Sequence, residues 1–340
     1  MADLYTIILA GGASSRFWPL SGDEHPKYLL KPDGEHSLLQ LAYSRALACA
    51  PASRVLIVTN ATQSRRIAAA LPGLTKENLL VEPARRDTAA AITLGVREIE
   101  QRSRDAHVLV LPSDQILQPD AALAAATATA RARPDFGEFI HVFAIKPRRA
   151  EGGFGYIELG DEITSKLCGV KSFREKPGEE TAKRLLENKK FHWNAGCFLF
   201  ALPAFDRELN KHMPSHSSRL RPSGDGMIDP AMYQQLEPIS IDFGMLERCT
   251  ALRAVLLDAD FDDIGTWDAL LARLEKAGKP PRTALSAGGS HNLVVADGGE
   301  LVGVVGDSDL LVVVNGKRVL VLKKGAGQSV KEIARLSGEA

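Results

Sequence analysis

The stretch Leu4-Tyr5-Thr6-Ile7-Ile8-Leu9-Ala10-Gly11-Gly12-Ala13-Ser14-Ser15-Arg16-Phe17-Trp18-Pro19-Leu20-Ser21, followed by Pro26-Lys27, decides how this chain reads. Leu4 to Leu9 is apolar enough for a strand buried on both faces. Gly11-Gly12 then lets the backbone turn tightly and brings N–H groups close to a ligand. Arg16 and Lys27 place positive charge around that turn, so strand, small-residue turn and cations together form a cradle for phosphates. Its expected nucleotide-binding residues are Ala10, Gly11, Gly12, Ser14 and Ser15. Neither G-x-x-x-x-G-K-[ST] nor G-x-G-x-x-G can be written through these positions, which argues against a P-loop NTPase and a Rossmann dehydrogenase.

Working outward, short apolar runs alternate with helical patterns. The fold class expected is therefore α/β, a Rossmann-like mixed, mostly parallel sheet with helices on both faces, plus a small C-terminal β domain. Strands are predicted at Tyr5–Leu9, Arg54–Thr59, His107–Leu111 and Phe139–Ile145. Helices are predicted at Leu38–Ala48, opened by a Ser37/Gln40 capping box, at Ser64–Leu71, at Thr88–Gln101 and at Ala121–Arg133. Residues 276–289 are rich in Pro, Gly, Ala and Ser and read as a linker. The domains expected are 1–277, catalytic, and 288–340, a β-rich piece with apolar runs at Asn292–Ala296, Leu301–Val305, Leu310–Val314 and Val319–Leu322 and a terminal helix from Val330.

At 340 residues, 45% hydrophobic and 25% charged, the chain can bury a large core. Lys plus Arg equals Asp plus Glu at 42 each, so there is no electrostatic footprint for nucleic acid or an anionic membrane. No apolar stretch is long enough to span a bilayer, and the N-terminus has no signal-peptide pattern. Four scattered cysteines without C-x-x-C read as reduced thiols of a cytoplasmic protein. Pro214 lies between His212 and His216 and disfavours a helical zinc pair. Two acidic stretches remain: Leu111-Pro112-Ser113-Asp114, after a buried strand, and Asp262-Asp263-Ile264-Gly265-Thr266-Trp267. Carboxylates brought together from these would form a hard oxygen site for Mg²⁺.

These stretches together resemble the sugar-1-phosphate nucleotidyltransferases, whose signature runs L-A-G-G-x-G-x-R-x-x-P-L-[ST] and then P-K. Trp18-Pro19-Leu20-Ser21, Ser240-Ile241-Asp242-Phe243 and Asp263-Ile264-Gly265-Thr266-Trp267 make the chain most similar to the guanylyltransferases acting on mannose 1-phosphate. The resemblance covers residues 7–323. It implies that Arg16, Lys27, Asp114 and Asp263 are catalytic and that Asp114 and Asp263 hold Mg²⁺, with Asp262 as the neighbouring candidate. Phe154-Gly155-Tyr156-Ile157-Glu158, Glu175-Lys176-Pro177 and Trp193-Asn194-Ala195-Gly196 look like the family's sugar-side motifs, making Gly155, Glu175, Lys176, Asn194 and Gly196 the sugar-phosphate residues. Glu82-Pro83-Ala84-Arg85-Arg86-Asp87-Thr88 is similar to the nucleobase segment. There Glu82 would accept from guanine N1–H and N2–H₂, and Arg86 or Thr88 would position base or phosphates, while Asp87 or Thr88 equally well caps a helix.

The implied reaction is attack by mannose 1-phosphate on the α-phosphorus of GTP, giving GDP-mannose and pyrophosphate. The implied assembly is a homodimer through the C-terminal β domain. Another sugar 1-phosphate or NTP, or a catalytically weak regulatory paralogue, are the alternatives. Ser14, where the family carries glycine, favours the last: a side chain at positive φ costs on the order of 1 kcal/mol. The residues after 276 are too few for a fused isomerase barrel.

Overall fold

The computed structural model describes all residues except 1, 13–14, 21–25, 223–226, 297–298 and 339–340. Two compact units emerge, each assembled from separated segments. One comprises Met1–Gly11, Ala42–Ser113 and Leu117–Phe261; the other comprises Gly12–Leu41, Asp114–Ile116 and Asp262–Ala340. A division at 277 differs from this partition, since the residues after it share a unit with the stretch carrying Arg16 and Lys27.

The first unit is a mixed α/β layer structure. Its strands are β1 (Leu4–Leu9), β2 (Val55–Asn60), β3 (Leu79–Glu82), β4 (His107–Pro112), β5 (Ile140–Ile145), β6 (Tyr156–Thr164), β7 (Leu167–Arg174), β8 (Phe191–Ala201) and β9 (Leu252–Leu256). They form a nine-stranded sheet in the order β3-β2-β1-β4-β8-β5-β9-β7-β6. β1 pairs in parallel with β2 and β4, β2 with β3, and β5 with β9, whereas β8 and β7 run antiparallel to their neighbours. All residues of β2 and β5 are buried, which is why their sequences show no alternation. One face packs on helices Asp87–Arg102 and Leu202–His212 through Ile92, Val96, Ile99, Phe205 and Leu209.

The pairing of β5 with β8 slips between Val142 and Ala144, so that Val142 faces Phe198 but Ala144 faces Asn194. Gly196 lies inside that irregularity with φ 68°, a conformation that glycine adopts without a Cβ penalty. Sequence motif and bulge therefore coincide at Asn194.

In the second unit, strands Arg282–Thr283, Leu293–Ala296, Leu310–Asn315 and Arg318–Lys323 form a four-stranded sheet. Leu311, Val313, Leu320 and Leu322 pack with Phe17, Leu38, Ile264, Trp267, Leu270 and Val330, while Val312 and Val314 join Ala284, Val294 and Val304 in a separate cluster. The stretch expected to be a linker itself contributes Arg282–Thr283 and Leu285–Ala287 as strands. Among the described residues no helix is long and apolar enough to cross a membrane.

Candidate functional site

In the second unit Lys27 is the centre of a charged cluster. Pro26, with φ held near −64°, leads into a single 3-10 turn, Lys27–Leu29, that is buried at Lys27 and Tyr28. The Lys27 ammonium donates to Asp114 Oδ2 at 2.9 Å, to Asp263 Oδ1 at 3.1 Å and to the Asp263 carbonyl at 2.6 Å. Burial works against its charge, but Asp114 and Asp263 outweigh it and hold the ammonium above its ordinary pKa. Burial likewise raises the Asp263 carboxyl, Lys27 and Arg16 opposing the rise and Asp114 adding to it.

The two carboxylates remain partly open, at 39% and 27% side-chain exposure. Asp262 is turned to another purpose. Its Oδ1 accepts from Ile264 N at 3.1 Å and its Oδ2 takes an ion pair from Arg273 at 3.3 Å. Arg16 lies at the same place, because a Cβ added at Gly265 would stand 3.2 Å from its Nη1 and 3.9 Å from Asp263 Oδ2. The turn that carries Arg16, Ser15–Phe17, is fixed by its neighbours. Phe17 meets Trp267 edge-on at 5.5 Å, Trp267 Nε1 donates to the Trp18 carbonyl at 3.3 Å, and Asn315 Nδ2 donates to the Pro19 carbonyl at 2.6 Å.

The first unit carries the remaining candidates. Ala10 is fully buried, its N–H bonded to the Val58 carbonyl at 2.9 Å and its carbonyl accepting from Thr59 Oγ1 at 2.6 Å. Neither Gly11 nor Gly12 adopts positive φ. A Cβ added at Gly11 would stand 3.4 Å from Glu82 Oε2, an ordinary van der Waals distance that places this carboxylate oxygen beside the turn. Ser14 lies outside the described residues.

Glu82, at the buried end of β3, accepts at Oε1 from the hydroxyl of Tyr233 at 2.5 Å. Burial pushes its carboxyl up to about 7 although that hydrogen bond opposes the rise. Arg86 is spent on main-chain carbonyls, donating to Gln234 and Arg85. Helix Asp87–Arg102 has Arg86 at its cap position without a side-chain cap bond, while Asp87 Oδ1 accepts from Thr88 N of the first turn at 2.6 Å. Thr88 Oγ1 instead accepts from Ile241 N at 3.0 Å, and Asp87 holds φ 62°.

The sugar-side motifs converge in the same unit. A Cβ at Gly155 would fall 2.5 Å from Glu175 Oε2 and 3.0 Å from Asn194 Cβ, so only glycine lets these approach. Asn194 N donates to the Gly155 carbonyl at 2.8 Å, and Asn194 Oδ1 accepts from Gly196 N at 3.1 Å. Gly196 thus orients Asn194 through its backbone. Lys176, at φ 46°, pairs with Glu175 Oε1 at 3.1 Å. Two groups beside this pair escaped the sequence reading. Glu247 Oε1 accepts from Glu175 N at 2.7 Å, and burial and Glu175 push the Asp242 carboxyl up to about 7. Asp242 was visible only inside Ser240-Ile241-Asp242-Phe243, and nothing in the sequence marked Tyr233 or Glu247.

A family model described as nucleotidyl transferase matches residues 5–279. The chain is 31% identical over 349 residues to a mannose-1-phosphate guanylyltransferase of Salmonella muenchen, covering 98% of this chain and 73% of that one. It is 32% identical over 354 residues, with the same coverage, to the xanthan biosynthesis protein XanB of Xanthomonas campestris pv. campestris. The crystal structure of a mannose-1-phosphate geranyltransferase from Thermus thermophilus matches with a TM-score of 0.83 at 30% identity, covering 99% of both chains.

Proposed function

Because this chain belongs to the nucleotidyl transferase family, we propose that it transfers GMP from GTP to mannose 1-phosphate, forming GDP-mannose and releasing pyrophosphate. The observation that carries the chemistry is the buried Lys27 ammonium held between Asp114 and Asp263, with Arg16 alongside. A sugar phosphate with a second pKa near about 6 is already mostly a dianion at neutral pH, so the nucleophile needs no base. What remains is positioning and charge neutralisation. Arg16 stabilises charge on the transferring and leaving phosphates, and Lys27, its three N–H bonds committed to Asp114 and Asp263, adds positive charge beside the reacting phosphates and sets those carboxylates in place.

Arg16 and Lys27 formally balance Asp114 and Asp263, which leaves the charge of the triphosphate to be met by something else. Two partly open carboxylates are the hard oxygen donors a magnesium ion takes, and Asp114 and Asp263 would hold it. When bound, the ion supplies Lewis-acid neutralisation of phosphate oxygens. In the first unit Glu82 receives guanine, while Gly155, Glu175, Lys176 and Asn194 receive the mannose phosphate. The unpaired thiols support a cytoplasmic enzyme, and the exposed apolar residues of the C-terminal β segment support a homodimer. The test is label partition. Attack at the α-phosphorus sends α-labelled GTP into the sugar nucleotide and γ-labelled GTP into pyrophosphate, whereas γ-label on the sugar contradicts the reading.

A further inference from the structure

Tyr233 is completely buried and commits its hydroxyl to Glu82 Oε1 at 2.5 Å. That leaves Oε2 on the side of Gly11, 3.4 Å from where a Cβ would stand on that backbone. Rotating the carboxylate would break the bond to Tyr233, so the hydroxyl fixes where Oε2 points. Tyr233 is itself held firmly. It lies on the short helix Pro230–Gln234, begun by Asp229, whose side chain accepts from Ala231 N at 2.8 Å. Its ring packs with Ala90, Leu220 and Leu236, and the Gln234 carbonyl takes the Arg86 guanidinium.

We propose that Tyr233 is a positioning residue for base selectivity, locking the Glu82 carboxylate so that Oε2 is presented to the donor edge of guanine. This inference rests on the reading of Glu82 as the base acceptor. Only the ionised carboxylate accepts from guanine N1–H and N2–H₂ alike, whereas adenine offers it no such pair. Burial brings Glu82 to about 7; the Tyr233 hydrogen bond and Arg85 favour its anion, Asp87 disfavours it, and Arg86 acts on Tyr233. Preference for GTP therefore falls as pH drops through neutrality and Glu82 takes up a proton. Without the Tyr233 hydroxyl the anion loses a stabilising donor, and the same fall occurs at higher pH.

The experiment measures kcat/KM for GTP divided by kcat/KM for ATP, from acidic to mildly alkaline pH, in the wild type, Tyr233→Phe and Glu82→Gln. The ratio cancels the phosphate titrations common to both nucleotides. Tyr233→Phe removes one oxygen and keeps the ring in its packing. The wild-type ratio should rise with a midpoint near 7. Tyr233→Phe should move that midpoint upward by roughly one unit, a ratio about fivefold lower at neutral pH and about tenfold lower below both midpoints. Glu82→Gln should be low and flat. A Glu82→Gln ratio equal to the wild type would remove the base-acceptor reading and this inference with it. A flat Glu82→Gln profile beside a Tyr233→Phe curve superimposed on the wild type would keep Glu82 and overturn the role of Tyr233 alone.

Discussion

Ile264 holds φ 41°, a region β-branched residues rarely enter, while its side chain is fully buried among Phe17, Trp267 and Leu270. Such a conformation costs about 1–3 kcal/mol and persists because the surrounding packing leaves no alternative. The strain lies between Asp263, which meets Lys27, and Gly265, whose bare backbone admits Arg16. Asp114→Asn or Asp263→Asn should each lower turnover by roughly 10² or more, the scale of losing one electrostatic stabiliser, with unchanged circular dichroism. Near-normal kcat in a folded Asp114→Asn enzyme would contradict its role. Gly155→Ala inserts a Cβ onto Glu175 and Asn194 and should lower kcat/KM for the sugar phosphate by about 10²-fold, since misplacement of about 1 Å has that effect; KM for GTP, measured in the same assay, should stay put. At this scale Lys27, Asp114 and Asp263 were legible because short motifs name them. Tyr233 was not, since its partner lies 151 positions away and Met232-Tyr233-Gln234 is an ordinary helix sequence.

The elements themselves followed local signals closely where those signals were self-contained. Ser37 and Gln40 exchange both capping-box hydrogen bonds, at 2.8 and 3.2 Å, and open helix Leu38–Cys49 as the sequence predicts. The next helix starts at Ala61, ahead of the predicted Ser64, because Asn60 at the end of β2 is also its cap, accepting from Gln63 N at 3.1 Å. One residue ending a strand and starting a helix leaves no loop to recognise. Residues 276–289 failed as a linker for a related reason: Arg282 and Thr283 pair with Val294 and Leu293, and pairing between short strands is not written in composition. The strand Leu310–Asn315 also does more than fill a sheet, since Asn315 pins the Pro19 carbonyl of the turn that carries Arg16. Asn315→Ala should cost about 1 kcal/mol of stability, the worth of one hydrogen bond. It should also slow turnover several-fold, and unchanged kcat in a urea-titrated, destabilised variant would separate that strand from the Arg16 turn.

At the scale of the molecule, the segments following 277 pack with Phe17 and Trp267 in one core, and the C-terminal helix Val330–Leu336 lies against the Ser15–Phe17 turn. That partnership was hidden in the sequence, where roughly the whole chain separates its members. The same sheet leaves Val319 and Val321 of its outer strand more than half exposed. If these residues meet a second copy, light scattering should give a dimer for the wild type and a folded monomer for Val321→Glu, and a wild-type monomer at micromolar concentration would end the dimer proposal. The molecule's activity is defined by the pairing of its two substrates, GTP with mannose 1-phosphate. It is tested most directly by pyrophosphate release from the full chain with magnesium, over the four nucleoside triphosphates and mannose, glucose and galactose 1-phosphates. GTP with mannose 1-phosphate should exceed every other combination by about 10² or more in kcat/KM, as expected where a buried polar group is left unpaired by the wrong substrate. Preference for UTP or dTTP with glucose 1-phosphate would contradict it.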